Sequence, residues 1–383
     1  MLVFFAFTER VARSRLRTGY GIWLQSVTAC PWGRRNGTVF KAMGIDMKKM
    51  VLAAAVLAMT AGSAFSADLY TKAVKAPPPA AFDPWDIAFG SAIMNDYIFR
   101  GITQSNHNPS VAAYFEPRYN VTKDLQLYIG TSGESISFAN RAAAEIDVYG
   151  GIRPTFGAFA FDFGVWGYLY PGGTCFFGAP TDPAGKPLSP ECAANILPDG
   201  NVMKKDVSFF EVYGKVNYTI NDNWQFGLNE YYSPNFLNSG AWGDYASVTG
   251  KYTAPATVFG TSGVGMYVSG EFGRQFLGTT DSFYGTTFTN PGFAGPFPNG
   301  IKYADYNTWN IGIGFTYKVF TLDLRYSDTD LSKGNCNAFT SAFNSAGTSN
   351  ITSINPTGAG SNWCGAAGIA KLSADLTAMT NLK

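Results

Sequence analysis

From residue 85 almost to the C-terminus, apolar and polar side chains alternate over stretches of roughly ten residues, each ended by a turn or loop. A period of two places successive side chains on opposite faces of a β-strand. Between residues 85 and 99 the odd positions carry Trp85, Ile87, Phe89, Ile93, Tyr97 and Phe99, while Asp86, Gly90, Asp96 and then Arg100 fall on the even ones. The next segment sets Val111, Ala113, Phe115, Tyr119 and Val121 against Ser110, Glu116, Arg118 and Asn120. Further on, Leu125, Leu127 and Ile129 oppose Gln126 and Tyr128, and Ile146, Val148 and Ile152 oppose Glu145, Asp147, Tyr149 and Arg153. This is the pattern of a transmembrane β-barrel, in which lipid-facing and lumen-facing residues alternate. A water-soluble β-sandwich alternates too, so the connections have to decide.

Twelve strands are predicted, near residues 85–101, 110–121, 124–135, 143–156, 158–171, 206–220, 223–236, 243–254, 263–276, 304–318, 320–332 and 366–378. Tight connections at Thr122-Lys123, Gly157, Asn221-Asp222 and Val319 follow even-numbered strands, and a moderate one around 255–262 follows the eighth. The long connections, 172–205, 277–303 and 333–365, all follow odd-numbered strands. A sandwich has no reason to keep that parity, whereas an outer-membrane barrel has short turns on one side and long loops on the other. An even strand count also lets the sheet close without exposed edges. The expected fold is all-β: a transmembrane, antiparallel, up-and-down barrel of about 12 strands. Two places break the phase. Glu230 falls on the apolar face with Trp224, Phe226 and Leu228, and Ile136 and Phe138 lose step with Leu125 to Ile129. Bulges near Gly133 and Pro234, or early strand ends, would account for both.

Composition adds three constraints. The repeating region has no run of eighteen apolar residues, which excludes a helical membrane protein there. Aromatic residues make up 16% and charged residues only 14%; Trp85, Trp166, Tyr170, Trp224, Tyr232, Trp309 and Tyr317 fall near strand ends, where an interfacial girdle would sit. The 43 glycines suit close backbone approach in a curved sheet.

The start of the chain carries a compartment signal. Met47-Lys48-Lys49, an apolar stretch to Met59, and the small residues Ala64 and Ser66 before Ala67 form the basic, apolar and cleavage regions of a secretory signal peptide. Residues 47–66 are therefore expected to be removed, and residues 1–46 are read as an upstream extension from a mis-assigned start. A Pro-rich periplasmic lead-in, 67–84, then precedes a single barrel domain, 85–383. Without residues 1–66 the chain keeps 19 of its 28 Lys/Arg and 25 of its 27 Asp/Glu, a net charge of −6. A mildly acidic surface argues against nucleic-acid binding. Export to an oxidising compartment makes disulfides natural. The simplest pairing closes one loop each, Cys175 with Cys192 and Cys336 with Cys364, and the absence of Cys-x-x-Cys spacing speaks against zinc.

Tyr97-Ile98-Phe99-Arg100-Gly101-Ile102-Thr103-Gln104-Ser105, followed by Pro109, resembles the opening of the TorF-type porins, a family of bacterial outer-membrane proteins of poorly defined function. The strand containing Leu322, Asp323, Leu324, Arg325, Tyr326 and Asp328 is also similar to that family's penultimate strand. The resemblance implies an outer-membrane channel. The chain departs from the usual barrel ending, since it finishes Ala378-Met379-Thr380-Asn381-Leu382-Lys383 with no terminal aromatic residue.

Candidate chemistry lies on the inward phase, with the acids Asp86, Asp96, Glu116, Glu145, Asp147, Asp162, Glu211, Glu271, Asp323 and Asp375 and the bases Arg100, Arg118, Arg153, Lys215, Lys251, Arg325 and Lys371. These residues either line a narrow water-filled pore that weakly prefers cations, or neutralise one another in an ionic plug. Arg100 either filters anions or pairs with Asp96 or a cross-barrel acid to fix the first loop. The single histidine, His107, is expected to be solvated in its loop, with Ser105 and Ser110 near it but no marked acid to complete a hydrolase. The function expected is passive diffusion of small hydrophilic solutes or ions across a bacterial outer membrane, among its lipids, with no catalysis, metal or cofactor. The alternatives are a closed barrel serving as an anchor or surface-binding protein, and a lipid hydrolase or acyltransferase.

Overall fold

The computed structural model describes residues 84–174, 176–177, 202–286, 294–352 and 354–382. The upstream extension, the signal peptide, nearly all of the lead-in and both Cys175 and Cys192 lie outside the described residues.

Twelve strands form one closed antiparallel barrel. They are β1 (Trp85–Met94), β2 (Ser110–Thr122), β3 (Leu125–Glu134), β4 (Glu145–Phe156), β5 (Phe159–Leu169), β6 (Phe209–Thr219), β7 (Trp224–Ser233), β8 (Gly243–Thr253), β9 (Val264–Leu277), β10 (Tyr306–Tyr317), β11 (Phe320–Thr329) and β12 (Ala367–Thr377). Each pairs with its sequence neighbours, and β12 returns to β1 through Ala88↔Thr377 to Met94↔Lys371, so no edge is left open. After β12 the chain turns at Ala378–Asn381, where Asp86 accepts the backbone N–H of Met379 at 3.0 Å.

The alternation read from the sequence is obeyed around the wall. Trp85, Ile87 and Ile93 point outward and are exposed, while Asp86, Ala88 and Ala92 are buried inward. Val148, Val165, Leu228, Val248, Phe272 and Ile311 continue the exposed apolar belt around the barrel. Aromatic pairs gather where the short turns are: Trp85 on Tyr119 at 4.8 Å, Phe159 on Tyr218 at 4.8 Å and Trp224 on Tyr252 at 4.9 Å.

Inside, tyrosines lie across glycines of the neighbouring strand. A side-chain carbon on Gly130 would strike the Tyr149 ring, one on Gly314 the Tyr267 ring, and one on Gly273 the Tyr245 ring. These glycines therefore make room for aromatic rings within a narrow lumen.

One expectation is corrected and one open alternative is settled. The first strand stops at Met94, and residues 98–103 leave the wall as a small hairpin, Ile98–Phe99 paired with Ile102–Thr103. Early strand ends, at Glu134 and Ser233, explain Ile136 and Phe138, whose side chains join the packing above the lumen. Glu230 stays within β7 on the outward phase, so no bulge is needed there. It sits near Asp244 of β8, which carries a buried oxygen without a partner.

Candidate functional site: a charged lumen beneath an apolar plug

The loops at the long-loop end fold over the barrel mouth and bury their own core. Ile102, Phe138, Tyr168, Tyr170, Phe209, Phe236, Leu277, Tyr306, Phe339 and Trp363 belong to one buried cluster. Helix α1 (Lys333–Thr340), capped by the Ser332 side chain, supplies Phe339, and the Cys336–Cys364 disulfide ties it to the strand end before β12. That disulfide is one of the two expected. Stacked and edge-on rings knit the plug together, with Tyr168 on Phe209 at 4.5 Å and Phe209 on Phe236 at 4.8 Å. The cavity between these side chains, lined by Phe99, Phe138, Met203, Phe236, Phe339 and Trp363 among others, holds only about 40 Å³.

Arg100 sits at the bottom of this plug. It adopts a left-handed backbone (φ 48°), which non-glycine residues enter only when their surroundings compensate. Its guanidinium makes a forked pair with Glu211 of β6, Nη1 to Oε1 at 2.8 Å and Nη2 to Oε2 at 2.7 Å, and Nη1 also donates to Gln275 Oε1 of β9 at 3.0 Å. The rings of Phe99 and Tyr245 cover its faces at 4.5 and 4.4 Å. Of the readings open for Arg100, pairing with a cross-barrel acid is the one observed; Asp96 is not its partner.

Asp96 lies outside the wall, in the loop that follows β1, and is buried. It accepts hydrogen bonds from Thr103 Oγ1 at 2.6 Å and Ser105 Oγ at 3.1 Å, and His107 Nδ1 sits 2.6 Å from its second oxygen. His107 is thus tied in place, its Nε2 2.9 Å from the Asn362 carbonyl. A marked acid does exist beside Ser105, contrary to expectation, but the order is Ser–Asp–His. A serine nucleophile needs the histidine next to its hydroxyl, with a free ring nitrogen to take the proton. Here both ring nitrogens are engaged elsewhere.

The remaining inward candidates collect into groups below the plug. Glu116 bridges Arg118 at 2.6 Å and Arg153 at 2.7 Å, while Asp162 takes Arg153 at 3.4 Å and Lys215 at 3.8 Å. Tyr128 donates to Asp162 and shares a short contact with Tyr213, and the Arg153 guanidinium lies over the Tyr128 ring at 3.6 Å. On the opposite wall Arg325 pairs with Asp323 at 3.0 Å and donates to Asn310 and Ser269. Lys371 lies across the ladder from Asp323, and Asp375 accepts from Ser373 and Tyr114. Glu271 accepts from Tyr245 and Asn310, and Lys251 stacks over Tyr267 at 4.7 Å. Glu145 and Asp147, near the top of β4, stand apart: neither belongs to an ion pair among the described residues. Glu134 joins them, an inward acid overlooked in the sequence because Ile136 and Phe138 blur the phase just beyond it.

A second cavity, about 700 Å³, is a groove at the long-loop end between Ile146, Leu169, Tyr170, Gly172, Lys205 and Ser208. It belongs to the rim and not to the barrel axis.

No curated protein matches the chain in sequence. Structural likeness is found to an outer membrane channel from Pseudomonas putida F1, with 11% identity over 79% of this chain and 100% of that one, TM-score 0.37. LpxR from Salmonella typhimurium shows 10% identity over 76% of this chain and 99% of the other, TM-score 0.35. A loop-deleted OmpT, an outer membrane protein of Vibrio cholerae, shows 12% identity over 77% and 100%, TM-score 0.31. Overlap this low transfers no function. In sequence, residues 79–182 match a family described as a bacterial protein of unknown function (Gcw_chp), and over that stretch the chain is similar to it.

Proposed function

We propose that this protein spans a bacterial outer membrane and that its extracellular mouth is closed by its own loops, so that it acts as an anchored, surface-presenting barrel and not as an open diffusion channel. The membrane assignment is supported by the exposed apolar belt, the aromatic residues at the short-turn end and the parity of loop lengths. The long-loop end then faces the cell exterior.

Closure is carried by one observation: the Arg100–Glu211 fork crosses the lumen directly beneath a continuous apolar core. A hydrated pore needs a path lined by solvated groups. Here Arg100, Arg118, Arg153, Lys215 and Arg325 are each matched to an acid, and the space above Arg100 is filled by packed side chains.

The channel reading keeps one supporting feature. Below Arg100 the wall is polar and its charged side chains are partly accessible, as at Lys251 and Glu271. Displacement of the plug would expose that wall. The hydrolase reading is disfavoured by the engagement of both His107 nitrogens. Swelling of liposomes that carry the refolded chain tests the choice: a closed barrel admits small sugars no faster than empty liposomes, and an open channel admits them at a rate that falls with sugar size.

A further inference from the structure

Glu134 and Glu145 are direct cross-strand partners on the inward face of β3 and β4, and Asp147 is the next inward residue along β4. One carboxylate oxygen from each lies within 4.8 Å of the others. Like charges placed directly opposite in an antiparallel ladder destabilise it. Elsewhere in the lumen the same geometry is neutralised, as where Arg118 and Arg153 flank Glu116. Here, among the described residues, only neutral groups donate hydrogen bonds to the acids. Tyr97 and Tyr170 donate to Glu145 at 2.7 and 3.0 Å, and Ser132 donates to one oxygen of Asp147 at 3.0 Å.

A second observation concerns what remains unused. Asp147 is only 4% exposed, and its Oδ1 is buried without a hydrogen-bond partner; Glu134 Oε2 is buried without one as well. The Trp166 indole N–H is a donor facing Asp147, but no hydrogen bond of ordinary geometry joins the two. Two orphaned carboxylate oxygens on adjacent strands, aimed into a cluster of three acids, are what a bound cation would satisfy. Leaving them unsatisfied would be costly.

We propose that Glu134, Glu145 and Asp147 form a binding site for a hard divalent cation, Ca²⁺ in preference to Mg²⁺. An all-oxygen donor set excludes soft metals. The larger ion suits a site built from strand-end carboxylates with tyrosine hydroxyls at hand, since Ca²⁺ accepts six to eight oxygens in flexible geometry and Mg²⁺ keeps several waters in a strict octahedron. Through Tyr97 and Tyr170 the ion would clamp the first loop and the end of β5 to the barrel rim. The half-buried Glu134 offers the way in.

The test uses the refolded chain in detergent with Tb³⁺ as probe and Ca²⁺ as competitor, since Trp166 and the two tyrosines are placed to sensitise lanthanide emission. The expected result is one saturable site displaced by Ca²⁺, weakened at least tenfold by Glu134→Gln and by Asp147→Asn, and unchanged by Glu230→Gln, which alters an acid on the outer face. Thermal midpoints guard against misfolding: Ca²⁺ should raise that of the native chain over EDTA, while Glu134→Gln should raise it in EDTA and abolish the Ca²⁺ increment. Absence of saturable emission from the native chain, emission that survives both site substitutions, or equal midpoints in Ca²⁺ and EDTA would overturn the site and leave three carboxyls that share protons. None of these readings depends on whether the barrel conducts.

Discussion

The Arg100 guanidinium, carried on a hairpin bent away from β1, meets Glu211 on β6 through two hydrogen bonds of 2.8 and 2.7 Å while almost fully buried. Removing one partner of such a pair leaves the other charge desolvated and unmatched, which costs roughly 3–5 kcal/mol. Arg100→Ala should therefore lower the unfolding free energy by about that amount in denaturant titrations. Arg100→Met combined with Glu211→Gln should cost markedly less than the two single changes added together, because the unpaired charge is gone. Additive losses would show that the pair does not hold the hairpin.

The Cys336–Cys364 bond closes a 28-residue separation that includes helix α1 and the plug residue Phe339. Loss of a cross-link over such a loop typically costs about 3–4 kcal/mol by chain entropy. Reduction, or Cys336→Ser with Cys364→Ser, should open residues 341–362 to proteolysis while the barrel stays resistant. Non-reducing peptide mapping should also recover Cys175 joined to Cys192, as the same one-loop reasoning expects. A cross-loop pair would refute that reasoning.

Gly314 lies under the Tyr267 ring, so a methyl group there must displace the ring or the strand. Gly314→Ala should destabilise the barrel by roughly 1–3 kcal/mol, the usual cost of overpacking. Adding Tyr267→Ala should recover part of the loss, although it forfeits the tyrosine's 2.7 Å hydrogen bond to Asp323. A tolerated Gly314→Ala would mean that the ring moves freely in a wider lumen.

The fold was legible in the sequence because its two signals are local. A period of two survives in every wall strand, and turn residues such as Gly157 and Asn221-Asp222 mark the short ends directly. The inward residues followed from the same phase. Their partners did not, because Arg100 and Glu211 are 111 positions apart and only barrel closure brings them together. The plug was less legible still. Phe138, Phe236 and Trp363 sit in connections rich in Gly, Asn and Ser, and Phe339 on the two-turn helix α1, where no periodicity distinguishes a buried ring from an exposed one. Asp96 shows how a strand end matters: two residues past Met94, the chain has left the wall and alternation no longer assigns a face.

Processing offers an independent check on the start of the chain. The intact mass of protein recovered from outer membranes should correspond to a mature chain beginning near Ala67. Recovery of residues 1–46 would show that the upstream segment is retained.

Conductance tests closure most directly. The mature chain, refolded and inserted into a planar bilayer with a saturating lanthanide-free Ca²⁺ buffer, should give no stable ohmic steps at moderate voltage. Arg100→Ala in a chain with its disulfide reduced should produce steps, since both ties on the plug are then removed. Steady, well-defined channels from the untreated native chain would contradict the account, because a mouth held shut by Arg100, Glu211 and the aromatic plug leaves ions no path.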